Sequence, residues 1–474
     1  MKKLLTLVTA LLLAVSCCFG LACGGGGGGG GGLNGDGVDG FEDTVDVGID
    51  EFHSGSLKVR IMNSDAEVAM MNKLIAAFNE KYPDITVTVD KILQENYYLQ
   101  LGLDRKAGTL GDVFWISQDY IDFVVGYGNI IQPLEKIDDK DTAFSVDALV
   151  DESIACSSLK VNGKEHLYMI PRDYNEVVMY YNVDMFEKAG VATPHPTVPM
   201  TQAEFGAMVD ALRAYYPVSS NDIIVDVNAC WDSFSWPLLK SFGATVANSN
   251  GDVTFNNNNT KAALTYWRGL YANNIVPNSS TTTSGAEFGM EKAPIYFQAR
   301  AALGNILTET QGVGVKELGV APVPNFGGTY CVGGGASGYA INQATKNPSE
   351  AWAFLKFIVS EEGQEAMGES GSHVPSLESL LVKQDAKWRT FTNSKLVNFN
   401  PDTYLVARNN GAYTTARDFF DYMPVGIQKD ILDCISKCFQ EINEPTYTAQ
   451  SLANKISAQA YAMEDIIIEA IEEG

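Results

Sequence analysis

The sequence predicts an α/β fold of two lobes with a hinge and an interlobe cleft. Three observations carry that reading. The chain has 474 residues, 46% of them hydrophobic and 19% charged, which is globular composition at a length that one hydrophobic core rarely serves. From residue 57 it alternates strand-like and helix-like segments, the pattern of a parallel sheet covered by helices. Finally, Pro171–Gly190 reads as a crossing between lobes. Pro171 lacks an amide donor and suits a strand leaving a sheet, and Val177–Tyr181 has the β-branched and aromatic content of a buried strand. Asn182 and Gly190 then bracket a short helix as cap and stop.

Ahead of the folded region, Lys2 and Lys3, the apolar run Leu4–Val15 and the small residues after it have the layout of a secretion signal over residues 1–22. The apolar run is short for a membrane span, and no later stretch reaches about 18 uninterrupted apolar residues. Gly20-Leu21-Ala22-Cys23 resembles a bacterial lipobox, which makes Cys23 the lipidation site. Ala14-Val15-Ser16-Cys17 is a competing match, and ordinary secretion with incidental cysteines is the alternative to both. Nine glycines, Gly24–Gly32, precede an acidic stretch to Ser56 without Lys or Arg. Residues 23–56 have no packing pattern and are expected to form a disordered tether, on the order of 30 Å across as a coil.

The formal charge is −25, or −27 without Lys2 and Lys3. Such a surface repels polyphosphates and anionic headgroups, which argues against nucleic-acid binding and leaves the N-terminal lipid as the membrane contact. Cys156, Cys230, Cys331, Cys434 and Cys438 are odd in number and widely spaced, which is no disulfide framework. Cys434 and Cys438, one helical turn apart, read as small buried hydrophobes.

Along the folded region, Leu57–Met62 alternates like a strand, and Met71, Leu74, Ile75 and Phe78 recur at helical spacing before Pro83. Ile85–Val89 is a second strand, Tyr97–Lys106 a helix, and Gly111–Ile116 a third, mostly apolar strand. Ligands collect beyond the carboxyl ends of such strands, here at Asn63-Ser64-Asp65 and Ser117-Gln118-Asp119-Tyr120. Helix capping by the same side chains is the alternative. After the crossing, Thr201 with Glu204 predicts a capping box. Phe288–Phe297 and Val320–Pro324 read as extended segments, Pro348–Ser360 as a helix, and the remainder as mostly helical. The expected lobes are 57–171 with 292–342, and 172–291 with 343–474.

Several separated segments then carry a family likeness: Phe78–Ile85, Gly111-Asp112-Val113, Ile170-Pro171 leading to Tyr180–Gly190, Trp236-Pro237-Leu238, Gly333-Gly334-Gly335, Lys346–Phe357 and Val374-Pro375. In this order, behind a lipobox, they resemble the extracellular solute-binding proteins of bacterial ABC importers, specifically the carbohydrate-binding group related to maltose-binding protein. The resemblance implies a two-lobed periplasmic-binding-protein-like fold that closes on its ligand by a hinge. It implies a small-molecule carbohydrate ligand, ABC permease and ATPase subunits as partners, no cofactor, and a monomer lipid-anchored at the extracellular face of the cell membrane.

Sugar recognition needs aromatic faces and planar polar groups. The candidate ligand-binding residues are Asn63, Asp65, Ser117, Gln118, Asp173, Tyr174, Trp231, Asp232, Trp236, Arg300 and Gly334. Trp236 matches the family's cleft position; its alternative is a core tryptophan. The family often places a Trp in the turn after the strand equivalent to Ile295–Phe297, where this chain has Gln298-Ala299-Arg300. That departure suggests an Arg300 contact with an acidic or highly polar ligand, against the alternative of a surface arginine. Gly333, Gly335 and Gly338 spell G-x-G-x-x-G, but a strand follows, so a dinucleotide site is rejected. The four histidines are scattered and no metal or catalytic motif appears. A glycoside hydrolase working through two carboxylates and the sensing subunit of a membrane signalling kinase are the competing functions.

Overall fold

The computed structural model describes residues 55–473 except 94–95, 127–129, 132, 135–144, 162, 218–222, 278–284, 309–313, 421, 425 and 445. The signal segment, Cys23 and all but the last two residues of the tether lie outside the described residues. Among these, no helix is long and apolar enough to cross a membrane.

Strand β1 (Gly55–Met62) leads into helix α1 (Asp65–Lys81), β2 (Ile85–Ile92), α2 (Tyr97–Ala107) and β3 (Val113–Ser117). Ser64 caps α1 by accepting from the Glu67 N–H at 3.2 Å, and Met70, Met71, Leu74 and Phe78 form its buried face. Gly108, at φ 69°, ends α2 in the left-handed geometry that glycine adopts without a Cβ clash. A hairpin of β4 (Ser158–Val161) and β5 (Lys164–Leu167) precedes β6 (Ile170–Pro171). Helices α1 and α2 are the crossovers that bring β1, β2 and β3 into parallel register.

The second lobe begins with β7 (Asn175–Asn182) and α3 (Val183–Ala189). Asn182 caps α3 by accepting from the Met185 N–H, and Gly190 stops it at φ 67°, as the sequence predicts. Helix α4 (Gln202–Tyr215) carries the Thr201–Glu204 capping box. Strand β8 (Val225–Asp226), α5 (Asp232–Ser241), α6 (Asn258–Ala272), β9 (Ile295–Ala299), β10 (Leu318–Pro322) and β11 (Val332–Gly335) follow. Strand β12 (Ser337–Ile341), α7 (Pro348–Ile358) and α8 (Glu361–Gly368) return to the first lobe. The chain ends with β13 (Tyr413–Thr414), α9 (Gln428–Glu441) and α10 (Ala449–Glu473) on the second.

Two mixed sheets result. The first has the order β2-β1-β3-β12-β6, and the second β13-β11-β7-β9-β8 with β10 also on β7. The expected lobe boundaries shift accordingly. Strands β9 and β10, expected in the first lobe, pair with β7 of the second, and of 292–342 only β12 crosses back. Helix α7, expected in the second lobe, buries Trp352, Phe354 and Phe357 in the core of the first. An apolar strand states that it is buried but not which sheet buries it, because pairing is a long-range choice. The extended reading of Phe288 also changes: Ala286–Gly289 is a helical turn, and the strand starts at Ile295.

Three short segments join the lobes side by side: 172–174, Ala336, and 372–376. They are laced together by buried hydrogen bonds. Ser376 Oγ donates to Pro171 O (2.6 Å), Gln364 Nε2 to Arg172 O (3.0 Å), and the Tyr174 N–H to Val374 O (3.0 Å). His373 Nε2 also donates to Arg172 O at 3.0 Å, which fixes the tautomer with its proton on that nitrogen.

Candidate ligand-binding site

Between the lobes lies a cleft of about 1260 Å³, floored by the joining segments and walled by both sheets. The first lobe contributes Tyr98 from α2 and Ser117 to Tyr120 from the end of β3. The second contributes Asn175 from β7, Trp231 just before α5, and Tyr296 and Gln298 from β9. Tyr98 and Tyr120 stack at 3.3 Å between centroids and 8° between planes, and the Tyr98 hydroxyl is 3.1 Å from Ser117 Oγ. Leu99 and Met290, one on each lobe, line the cleft with 68% and 53% of their surface exposed, so apolar area is open on both rims.

At the floor Arg172 is almost fully buried. Its Nη1 donates to both oxygens of Glu67 (2.7 and 2.8 Å), its Nε and Nη2 to Asp173 Oδ2 (3.1 and 3.0 Å), and Nη2 also to Ser337 Oγ (2.8 Å). Burial opposes the guanidinium's charge, but Glu67 and Asp173 outweigh it and hold the group above its ordinary pKa. Asp173 accepts in addition from the Ser337 N–H and hydroxyl, both at 2.9 Å. This network pins two of the joining segments to α1.

The structure brings together some of the residues expected from the sequence and removes others. Ser117, Gln118, Trp231 and Gly334 line the cleft. Asn63 and Asp65 are exposed and outside it; the neighbour that lines it is the cap residue Ser64. Asp173 is 1% exposed and occupied by Arg172 and Ser337. Tyr174 is fully buried, donating to Glu176 Oε2 at 2.9 Å. Alternation explains this: Asn175 and Val177 face the cleft, so Tyr174 and Val178 point to the opposite side. Trp236 is a core residue, edge-on to Phe419 at 5.1 Å. Asp232, the first residue of α5, does not line the cleft wall but faces Asp119, which does.

Arg300 is corrected outright. It is fully buried, donating to Gly371 O (2.9 Å) and Trp388 O (2.6 Å) under the rings of Trp388, Phe399 and Tyr404. Burial lowers its pKa, and two carbonyls with three aromatic faces supply the compensation. The guanidinium is spent inside the second lobe, so the argument for an acidic ligand from this residue falls.

The residues missed are Glu67, Tyr98, Arg172 and Tyr296. Asp119 and Tyr120 belong to the loop singled out after the third strand, and Asn175 to the group read with Asp173 and Tyr174 beside the hinge; all three line the cleft. Tyr98 carried no signal, since adjacent Tyr97 goes to the core and either could have faced out.

The fold and cleft define a two-lobed binding protein whose ligand site lies between lobes that three short segments connect. The chain belongs to the bacterial extracellular solute-binding proteins, whose sequence profile matches residues 73–391. A candidate binding protein of Brucella abortus is 23% identical over 331 residues, covering 67% of this chain and 74% of that one. Two solved structures share the fold. An ABC substrate-binding protein from Listeria monocytogenes in complex with cycloalternan has a TM-score of 0.69 at 16% identity, over 87% of this chain and 100% of that one. An ABC transporter solute-binding protein from Thermotoga lettingae bound with α-D-tagatose has a TM-score of 0.69 at 17% identity, over 87% and 100%.

Proposed function

We propose that the chain captures a sugar or oligosaccharide in the interlobe cleft and hands it to the permease and ATPase of an ABC importer, while a lipid on Cys23 holds the monomer at the outer face of the membrane. The observation that carries this is the cleft itself: about 1260 Å³, with stacked tyrosines, a tryptophan and amide side chains contributed from both lobes. Aromatic faces take the apolar side of a pyranose, and amides take its hydroxyls. The structural neighbours that hold cycloalternan and α-D-tagatose support the same ligand class. Closure follows from the connections, because rotation about three short adjacent segments brings the open apolar rims at Leu99 and Met290 together over the ligand.

Titration calorimetry of the full chain against mono- and oligosaccharides tests this. Saturable binding with no released sugar over hours is expected, together with a smaller radius of gyration in solution scattering on saturation. Turnover of glycosides would favour the hydrolase reading instead.

A further inference from the structure

The cleft presents a specific imbalance. Gln118 is only 4% exposed and donates through Nε2 to Gly334 O, but its Oε1 accepts nothing. Asn175 Oδ1 and Asp119 Oδ1 are likewise buried and without a hydrogen-bond partner, and all three residues line the cleft. Two come from the first lobe and one from the second. Each is an acceptor, and a buried acceptor left unpaired costs roughly 1–3 kcal/mol until something donates to it.

The charge points the same way. Asp119, just after β3, lines the cleft, and Asp232, at the start of α5, lies against it behind the cleft wall. Burial, and for Asp119 the neighbouring carboxylate, pushes both acids up, so the pair is at ease only with a proton or a cation between its oxygens. The cations of this region are committed elsewhere: Arg172 to Glu67 and Asp173, and Lys429 to Asp433 at 2.8 Å. The stacked Tyr98–Tyr120 pair and Trp231 flank the acids. A hard metal ion is the poorer fit, since no group of three or more His, Cys, Asp or Glu side chains assembles among the described residues.

Resting on the sugar-capture reading, we propose that the preferred ligand is an amine-bearing sugar, its ammonium held at Asp119 with Asp232 behind it, and its neighbouring N–H and O–H groups donating to Gln118 Oε1 and Asn175 Oδ1. Aromatic faces hold the ring, and the carboxylate pair selects the charge. A carboxylated sugar is repelled by the same pair.

The test is calorimetric titration of the full chain with D-glucosamine, D-galactosamine and D-mannosamine, their N-acetyl forms, the parent hexoses, D-glucuronate and calcium chloride. At least one amino sugar is expected to bind ten-fold or more tightly than its N-acetyl form and its parent. That preference should fall below three-fold in Asp119→Asn and in Asp232→Asn, with an unchanged circular-dichroism spectrum and a cooperative melt as the check on folding. If N-acetyl or neutral sugars bind as tightly as the amines, or the preference survives both variants, the inference fails while the sugar-capture reading stands. Binding of calcium but of no amine also overturns it. If no sugar in any form binds, both fail.

Discussion

Replacing Arg172 by alanine tests whether the ionic network under the cleft holds the lobes in register. The substitution removes the guanidinium's bonds to Glu67, Asp173 and Ser337. Asp173, 1% exposed, keeps only the two Ser337 donors, and Glu67 keeps only the Tyr339 hydroxyl at 3.0 Å. Breaking a buried pair from one side typically costs about 3–5 kcal/mol, because it strands the remaining charge. Unfolding entropy of about 2.1 cal/mol/K per residue gives a chain of this size roughly 0.9 kcal/mol/K, so the calorimetric midpoint should fall by about 3–6 °C. A larger fall confined to one transition is expected if the lobes melt separately, since Glu67 belongs to the first lobe. Neutralising both sides at once, Arg172→Met with Glu67→Gln and Asp173→Asn, should recover at least half of the loss. A midpoint within 1 °C of wild type for Arg172→Ala, or no recovery in the triple variant, would refute the reasoning.

Three further outcomes follow from the same contacts. Arg300→Leu should lower the melting midpoint through loss of two carbonyl bonds and three ring contacts, about 2–4 kcal/mol, while sugar affinity by calorimetry changes less than three-fold. His373 is fully buried, which lowers its pKa to about 4, whereas the unfolded chain protonates it near 6.5. The unfolded state therefore binds the extra proton between those values, and stability present above pH 6.5 is lost as pH falls toward 4, by about 3 kcal/mol. Burial pushes the Glu176 carboxyl up to about 7, which works in the opposite sense, with stability falling as pH rises from its ordinary value. Denaturant midpoints of His373→Phe minus wild type across pH 4–8 isolate the histidine's share. Gly333→Ala places a Cβ 1.7 Å from Ser233 O; a drop of at least 2 kcal/mol in denaturant stability is expected, and a smaller one means that β11 can move aside.

That glycine shows what was legible and what was not. Trp236-Pro237-Leu238 and Gly333-Gly334-Gly335 were visible as two separate motifs, each supplying a candidate ligand residue, Trp236 and Gly334. In the folded protein they are one packing unit. Pro237 sits inside α5 without an N–H for Ser233 O, and β11 runs so close over that turn that only glycine fits at 333. Trp236 follows the helix into the core, as a helical residue on the apolar face must. Local signals of this kind, caps at Ser64, Asn182 and Thr201 and the stop at Gly190, were readable because a few neighbouring residues decide them. The cleft was not, because its walls come from residues more than a hundred positions apart. Whether Tyr97 or Tyr98 faces it depends on how α2 packs, and whether Tyr174 or Asn175 does depends on the register of β7. Arg300 makes the point most sharply. An unusual residue at a family ligand position invites a ligand argument, yet its charge is answered by Gly371 and Trp388, about 70 and 90 residues downstream, which no pattern near position 300 could announce. The polar atoms left unpaired on the cleft wall are Gln118 Oε1, Asn175 Oδ1 and Asp119 Oδ1, none of which a sequence pattern could mark as unpaired.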